Sequence, residues 1–255
     1  MNLNGRVAIV TGASRGIGKA IALGLAQAGA RVVVAARTTD TGGRLPGTIH
    51  ETAQAIQARG GQALAVPFDV TDEASVDVLV ARTQEEWGQV DILVNNAGVL
   101  VYSPIAEMPV KRWDLLMRVN VRGAFLCTRA VLPGMIERHA GSIINLTSWA
   151  GHAPYENGIA YGTTKAALEY FTLGLADEVK PYNVAVNALT PEGHVDTEGA
   201  RLLMPGLDRS DWEPPELLAE AAVFLAGCDA QSLTGRVIVS REWKRLQAGT
   251  PYPPG

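Results

Sequence analysis

The feature that most limits what this chain can fold into is its alternation of two patterns. Runs of consecutive apolar residues at positions 7–10, 32–35, 63–66, 92–94, 143–146, 184–189 and 237–239 recur between stretches with helical spacing. Apart from Asn145 and Asn187 the runs are apolar at consecutive positions instead of at every second residue, so each strand needs cover on both faces, as in a parallel sheet. Between them Ile17, Ala20, Ile21, Gly24, Leu25 and Ala28 keep a helical period, as do Val76, Leu79, Val80 and Thr83. Residues 107–136 and 161–180 read as longer helices. Strand and helix alternating from end to end predict an α/β, doubly wound, seven-stranded parallel sheet with helices on both faces. Its ligand crevice belongs at the carboxyl ends of the strands.

Composition narrows the function classes. No linker or repeat interrupts the 255 residues, which read as a single dinucleotide-binding and catalytic domain of the Rossmann type. Residues 38–47 and 191–215 lack periodicity, the second being a candidate lid over the substrate, and prolines keep the tail at 248–255 from regular structure. With 22 Lys plus Arg against 26 Asp plus Glu and a net charge of −4, nothing provides the basic footprint that nucleic acid requires. The longest apolar stretches, such as 221–228, fall short of the roughly 20 residues that span a bilayer, so no membrane partner is expected. The beginning lacks a basic and apolar leader, which predicts a cytoplasmic protein. Cys127 and Cys228 stand far apart with no metal-binding spacing near them, so neither a disulfide framework nor a metal site is expected.

The chemistry begins after the first strand, where Thr11-Gly12-Ala13-Ser14-Arg15-Gly16-Ile17-Gly18 runs directly into a helical pattern. Glycines at 12, 16 and 18 permit a tight turn and let amide groups at a helix N-terminus approach a pyrophosphate. A turn of this kind alone is weak evidence, but further features follow it in order. Asp69-Val70 follows the third strand, and Asn95-Asn96-Ala97-Gly98 closes the fourth. Asn120 lies within a helix, where its amide needs a partner. Ser148 follows the fifth strand, and Tyr161 and Lys165, four apart on one helix face, can reach one site.

This set resembles the short-chain dehydrogenase/reductase family in its short form of about 250 residues, over nearly the whole chain. A looser likeness that includes the segment Thr48 to Ile56 points to its hydroxysteroid-dehydrogenase-like branch. The resemblance implies that the turn Gly12 to Gly18, with Ser14, Arg15, Gly16 and Ile17, holds a dinucleotide. Asp69 and Val70 would contact adenine, and Asn96, Ala97 and Gly98 would support the strands beside the cofactor. Pro191 and Thr197 would border the nicotinamide, and Asn120, Ser148, Tyr161 and Lys165 would form the catalytic tetrad. Tyr161 is then the general acid, Ser148 a donor to the substrate oxygen, and Lys165 the charge that favours the phenolate and holds the ribose. Asn120 would hold a water that links Lys165 to solvent. A free phenol titrates near 10, so acting near neutrality asks for a shift of about 3 units.

Where an acidic residue would accept the adenosine ribose hydroxyls, the second strand carries Ala36 followed by Arg37. With Arg15 it offers two guanidinium groups for a 2′-phosphate, so NADP is the expected cofactor, with NAD possible through Asp40. Leu100, Tyr102, Trp149, Tyr155 and His194 are the expected substrate wall. Only Arg201 could clamp an anion, so an uncharged, largely apolar ketone or secondary alcohol is expected. The loop at Pro191-Glu192-Gly193-His194-Val195-Asp196-Thr197 is one residue longer than the family pattern, and Ser240-Arg241-Glu242 replaces the usual Asp-Gly-Gly. Apolar residues on more than one face of the two long helices predict a homotetramer or homodimer. The rival from another class is a catalytically silent, dinucleotide-binding regulatory or scaffold protein on the same fold.

Overall fold

The computed structural model describes residues 1–43 and 45–248, so most of the Pro-rich tail lies outside the described residues. Seven parallel strands form one sheet: β1 (Val7–Thr11), β2 (Arg31–Ala36), β3 (Gln62–Pro67), β4 (Ile92–Asn95), β5 (Gly141–Leu146), β6 (Val184–Thr190) and β7 (Arg236–Val239), ordered β3-β2-β1-β4-β5-β6-β7. The helices are α1 (Gly16–Gln27), α2 (Ile49–Gln57), α3 (Glu73–Trp87), α4 (Val110–Leu116), α5 (Gly123–Arg138), α6 (Ile159–Val179), α7 (Glu198–Leu203), α8 (Pro215–Ala226) and α9 (Trp243–Gln247).

Strand side chains alternate between two apolar layers, which explains why the runs are apolar at nearly every position, with Asn145 and Asn187 as buried exceptions. Ala8, Val10, Val32, Val34, Ile92, Val94, Ile144 and Leu146 pack under Ile21 and Leu25 of α1, Ile49 and Ile56 of α2, and Leu218 and Leu225 of α8. Ile9, Val33, Leu93, Ile143, Val184 and Val186 face Val76 and Leu79 of α3, Leu126 and Val131 of α5, and Leu175 and Val179 of α6. A buried polar ladder crosses the second layer: Asn95 Nδ2 donates to Asn145 Oδ1 at 2.9 Å, and Asn145 Nδ2 donates to Thr172 Oγ1 at 2.8 Å. The Asn145 bond to Thr172 ties α6 to β5 in one register.

Strand order reverses between β1 and β4, opening a crevice at their carboxyl ends. The helix expected over 107–136 is instead divided. After a turn at Ile105–Glu107, α4 runs to Leu116, a π turn occupies Met117–Arg122, and α5 follows with Pro133 inside it. The wider turn buries the Asn120 side chain, and such turns concentrate at functional sites. The irregular stretch 191–215 contains the short helix α7, capped by the Thr197 hydroxyl, which accepts from the Ala200 amide.

Candidate active site

The glycine turn, Arg37, Asp69, Val70, the segment Asn96 to Gly98 and Thr197 line one cleft of about 350 Å³, where the sheet order reverses. The turn is held from both sides. Thr11 Oγ1 accepts from the amides of Asn96 and Ala97, each at 3.0 Å, and Asn96 Nδ2 donates to the Thr11 carbonyl at 2.8 Å. Gly12 has a φ of +68°, and a Cβ on Gly18 would lie 2.5 Å from the Gly12 carbonyl oxygen. The turn therefore closes this tightly only with hydrogen at position 18.

The residues present fit a dinucleotide. The amide of Gly16, the first residue of α1, donates to Glu198 Oε2 at 3.1 Å, so this donor already attracts an anion. Asp69 accepts from the amide and hydroxyl of Thr71, each at 2.9 Å, and these bonds, with Arg37 nearby, hold its carboxyl below the usual range. Arg37 is exposed at the end of β2. Arg15 is committed elsewhere: it donates to the carbonyls of Pro46 at 2.7 Å and Gly47 at 2.8 Å, and to Thr38 Oγ1 at 3.3 Å. Its guanidinium ties the 38–47 loop to the glycine turn, leaving Arg37 as the more accessible of the two cations. Pro191 is buried directly after β6, on the same edge of the sheet, and Asp40 is exposed.

Tyr161 and Lys165 lie on the first turns of α6, and Ser148 lies at the end of β5, where its Oγ accepts from the Ala150 amide at 3.3 Å. A Cβ on Gly162 would lie 2.5 Å from the Ala150 carbonyl oxygen, so the glycine after Tyr161 lets α6 approach the Ser148 turn. The neighbouring Ser148 hydroxyl favours the ionised form of the Tyr161 phenol, yet burial dominates and pushes the phenol up to about 12. Tyr161 therefore keeps its proton in the chain without a bound dinucleotide. Lys165 is 5% exposed, donates to the Leu146 carbonyl at 2.7 Å, and has its Nζ 5.6 Å from the centre of the Tyr161 ring. Burial lowers its ammonium to about 8.

The Asn120 side chain is fully engaged. Its Oδ1 accepts from the Val99 amide at 2.8 Å, and Nδ2 donates to the Val99 carbonyl at 2.9 Å and to Thr164 Oγ1 at 3.0 Å. It joins the strand-end segment to α6.

On the substrate side the rings form a chain. Centroids are 5.8 Å apart for Tyr102 and Tyr155, 5.0 Å for Tyr155 and Trp149, 6.4 Å for Trp149 and His194, and 5.3 Å for His194 and Trp212. Trp212 was not among the expected wall residues. Leu100 is half-buried on the segment after Gly98. Arg201 is gripped by Asp196 through two contacts of 2.6 Å. The longer 191–197 loop is accommodated by another unanticipated residue, Glu213, which is 1% exposed. Its Oε1 accepts from the amides of Glu192 and Gly193, and its Oε2 accepts from the Ser240 hydroxyl at 2.5 Å. Ser240, standing where Asp is usual, thus serves as donor to the carboxylate that shapes this loop.

Among the described residues no His, Cys, Asp and Glu cluster is placed to hold a metal ion, and no helix is long and apolar enough to cross a membrane. Cys127 and Cys228 are both free, and burial pushes their thiols up to about 12 and about 11.

Fold and cleft define a Rossmann-type domain with a crevice suited to a dinucleotide. The chain belongs to the short chain dehydrogenase family, whose model matches residues 6–206. It is 36% identical over 243 residues to hydroxysteroid dehydrogenase-like protein 2 of Xenopus tropicalis, covering 94% of this chain and 58% of that protein. The chain thus spans little more than half the length of this curated relative. It also superposes on a gluconate 5-dehydrogenase of Burkholderia cenocepacia, solved with NADP and tartrate, with a TM-score of 0.82 and 32% identity over 93% of this chain and 94% of that one. A short-chain type dehydrogenase/reductase of Mycobacterium marinum gives the same TM-score with 33% identity, over 93% and 94% of the two chains.

Proposed function

We propose that this chain reduces an uncharged, largely apolar ketone, or oxidises the corresponding secondary alcohol, with NADP as the preferred cofactor. The observation that carries the reading is the grouping of Ser148, Tyr161 and Lys165, the Lys165 Nζ standing 3.9 Å from where a Cβ on Gly98 of the cleft would lie, with a phenol that keeps its proton until a base forms next to it. When bound, the dinucleotide supplies or accepts the hydride. Tyr161 gives its proton to the developing alkoxide, and Ser148 donates a second hydrogen bond to the same oxygen. Lys165 compensates the phenolate charge and holds the ribose. Asn120 keeps the Val99 segment and α6 at fixed separation.

The preference for NADP rests on exposed Arg37 directly after β2, where the strand ends in Ala36 instead of an acidic residue. The choice of an uncharged substrate rests on the aromatic chain from Tyr102 to Trp212 and on Arg201 being neutralised by Asp196. Assembly into a homodimer or homotetramer is supported by Phe125 and Leu173, which expose 44% and 42% of their surface on α5 and α6. A panel of cyclic and aromatic ketones and alcohols, followed at the reduced-nicotinamide absorbance with each cofactor, tests the reading. Turnover with neutral ketones and NADPH is expected. Binding of the dinucleotide without turnover across the panel would favour the silent scaffold instead.

A further inference from the structure

Two departures from the family pattern, the extra residue at 191–197 and Ser240 in place of Asp, meet at one buried side chain. Glu213 is 1% exposed, and all of its side-chain donors are neutral. Oε1 accepts from the amides of Glu192 at 2.7 Å and Gly193 at 3.2 Å, and Oε2 accepts from the Ser240 hydroxyl at 2.5 Å. The main chain of the same residue is engaged as well. Its amide donates to the His194 carbonyl at 2.8 Å, its carbonyl accepts from the Asp196 amide at 2.8 Å, and Val195 and Glu213 form a parallel bridge. Ser240 is fixed in turn, its amide donating to the Thr190 carbonyl at 2.8 Å. Glu213 thus ties together the loop leaving β6, the residues entering α8 and the end of β7.

The residues next to these ties belong to the aromatic wall. His194 follows Gly193, and Trp212 precedes Glu213. Their rings meet at 5.3 Å, and the His194 ring lies 6.4 Å from that of Trp149, which directly follows Ser148. Among the described residues the His194 imidazole has ring contacts and no hydrogen bond, so its place depends on the main chain that carries it. Without the Glu213 carboxylate the amides of Glu192 and Gly193 lose their acceptor, and the loop must shift to satisfy them.

We propose that Glu213 is a positioning residue for the substrate wall, holding His194 and Trp212 beside Trp149 and so setting which ketones the site admits. The inference rests on the oxidoreductase reading above for its substrate, and on the hydrogen bonds of Glu213 for its geometry. A wall that touches the non-reacting part of a ketone binds ground state and transition state alike, so displacing it raises KM and spares kcat. The effect belongs to ketones large enough to reach the rings.

The test has two arms and three variants. Glu213→Leu keeps much of the volume and removes the acceptor of all three donors, Ser240→Ala removes one donor only, and Glu213→Gln keeps an oxygen for the two amides. In the first arm the His194 ring protons are followed by NMR at fixed pH, without cofactor or substrate. The chain has four histidines, and the spectrum of His194→Gln assigns the signal. Ring currents of Trp149 and Trp212 displace that signal in the wild type. It is expected to move to the position of an exposed histidine in Glu213→Leu, to move part-way in Ser240→Ala, and to stay in place in Glu213→Gln. An unmoved signal in Glu213→Leu, or in Ser240→Ala where Glu213→Leu does not fold, would overturn the positioning whether or not any ketone is turned over.

In the second arm kcat and KM with NADPH are measured for the best ring ketone and for the smallest ketone reduced. Glu213→Leu is expected to lose about tenfold in its preference for the ring ketone, through KM, with Glu213→Gln restoring it. A merely structural role would lower kcat for both ketones by one factor and leave their ratio as in the wild type, and that result would overturn the proposal. A wild type that reduces no ketone would contradict the parent reading, while the NMR arm still decides the positioning.

Discussion

Glu198 Oε2 accepts the amide hydrogen of Gly16 at 3.1 Å, placing a carboxylate at the first residue of α1, where a dinucleotide's pyrophosphate would be drawn. The two anions compete for one donor, so the carboxylate must withdraw before that amide can serve the phosphate. Glu198→Ala is therefore expected to strengthen NADPH binding by three- to tenfold, about one hydrogen bond to a charged group less its exposure to solvent. Fluorescence titration of the cofactor measures this. Unchanged or weaker binding would mean that Glu198 supports the bound state.

Cofactor choice depends on Arg37 more than on Arg15. Arg37→Asp is expected to weaken NADPH binding ten- to a hundredfold, each decade being about 1.4 kcal/mol, while NADH binding holds or improves. The preference should diminish with added salt, because the guanidinium is exposed. Arg15→Ala, which frees the 38–47 loop, should weaken both cofactors by similar factors. Dissociation constants of both cofactors for the three proteins check this, and an Arg37→Asp ratio equal to wild type would assign the preference to Asp40 or to the loop.

Much of this was legible because each signal is local. The apolar runs marked all seven strands, since a strand covered on both faces tolerates no polar alternation. Tyr161 and Lys165 were readable from a spacing of four on one helix. The unread parts are pairings between distant residues. Nothing near Glu213 in the chain announces that its carboxylate gathers the amides of Glu192 and Gly193 and the hydroxyl of Ser240. Glu198 facing Gly16, and Arg15 spent on the carbonyls of Pro46 and Gly47, likewise depend on tertiary approach. The π turn at Asn120 was hidden because one extra residue in a helix hardly disturbs an apolar period over a long window.

Lys165 carries a stability cost that its function explains. Its folded value near 8 lies below the ordinary lysine value of 10.5, so at pH 7 the buried charge costs roughly 3 kcal/mol. The native state binds fewer protons than the unfolded chain between these values, so the cost is full below pH 8 and is relieved as pH rises towards 10.5. Lys165→Met also loses the bond to the Leu146 carbonyl, about 1 kcal/mol. A net gain of roughly 2 kcal/mol is expected at pH 7, visible as a higher Tm, and it should vanish by pH 10. Equal Tm values at pH 7 would show that the ammonium is well solvated in the folded protein.

The proton donor itself is the centre of the account. In Tyr161→Phe the ring and its packing remain, and only the acid is removed. Steady-state reduction of the best neutral ketone by NADPH, with the cofactor's Kd measured on the same preparations, tests it most directly. The account predicts a loss of 10²- to 10⁴-fold in kcat with Kd unchanged. Activity within about tenfold of wild type would contradict it.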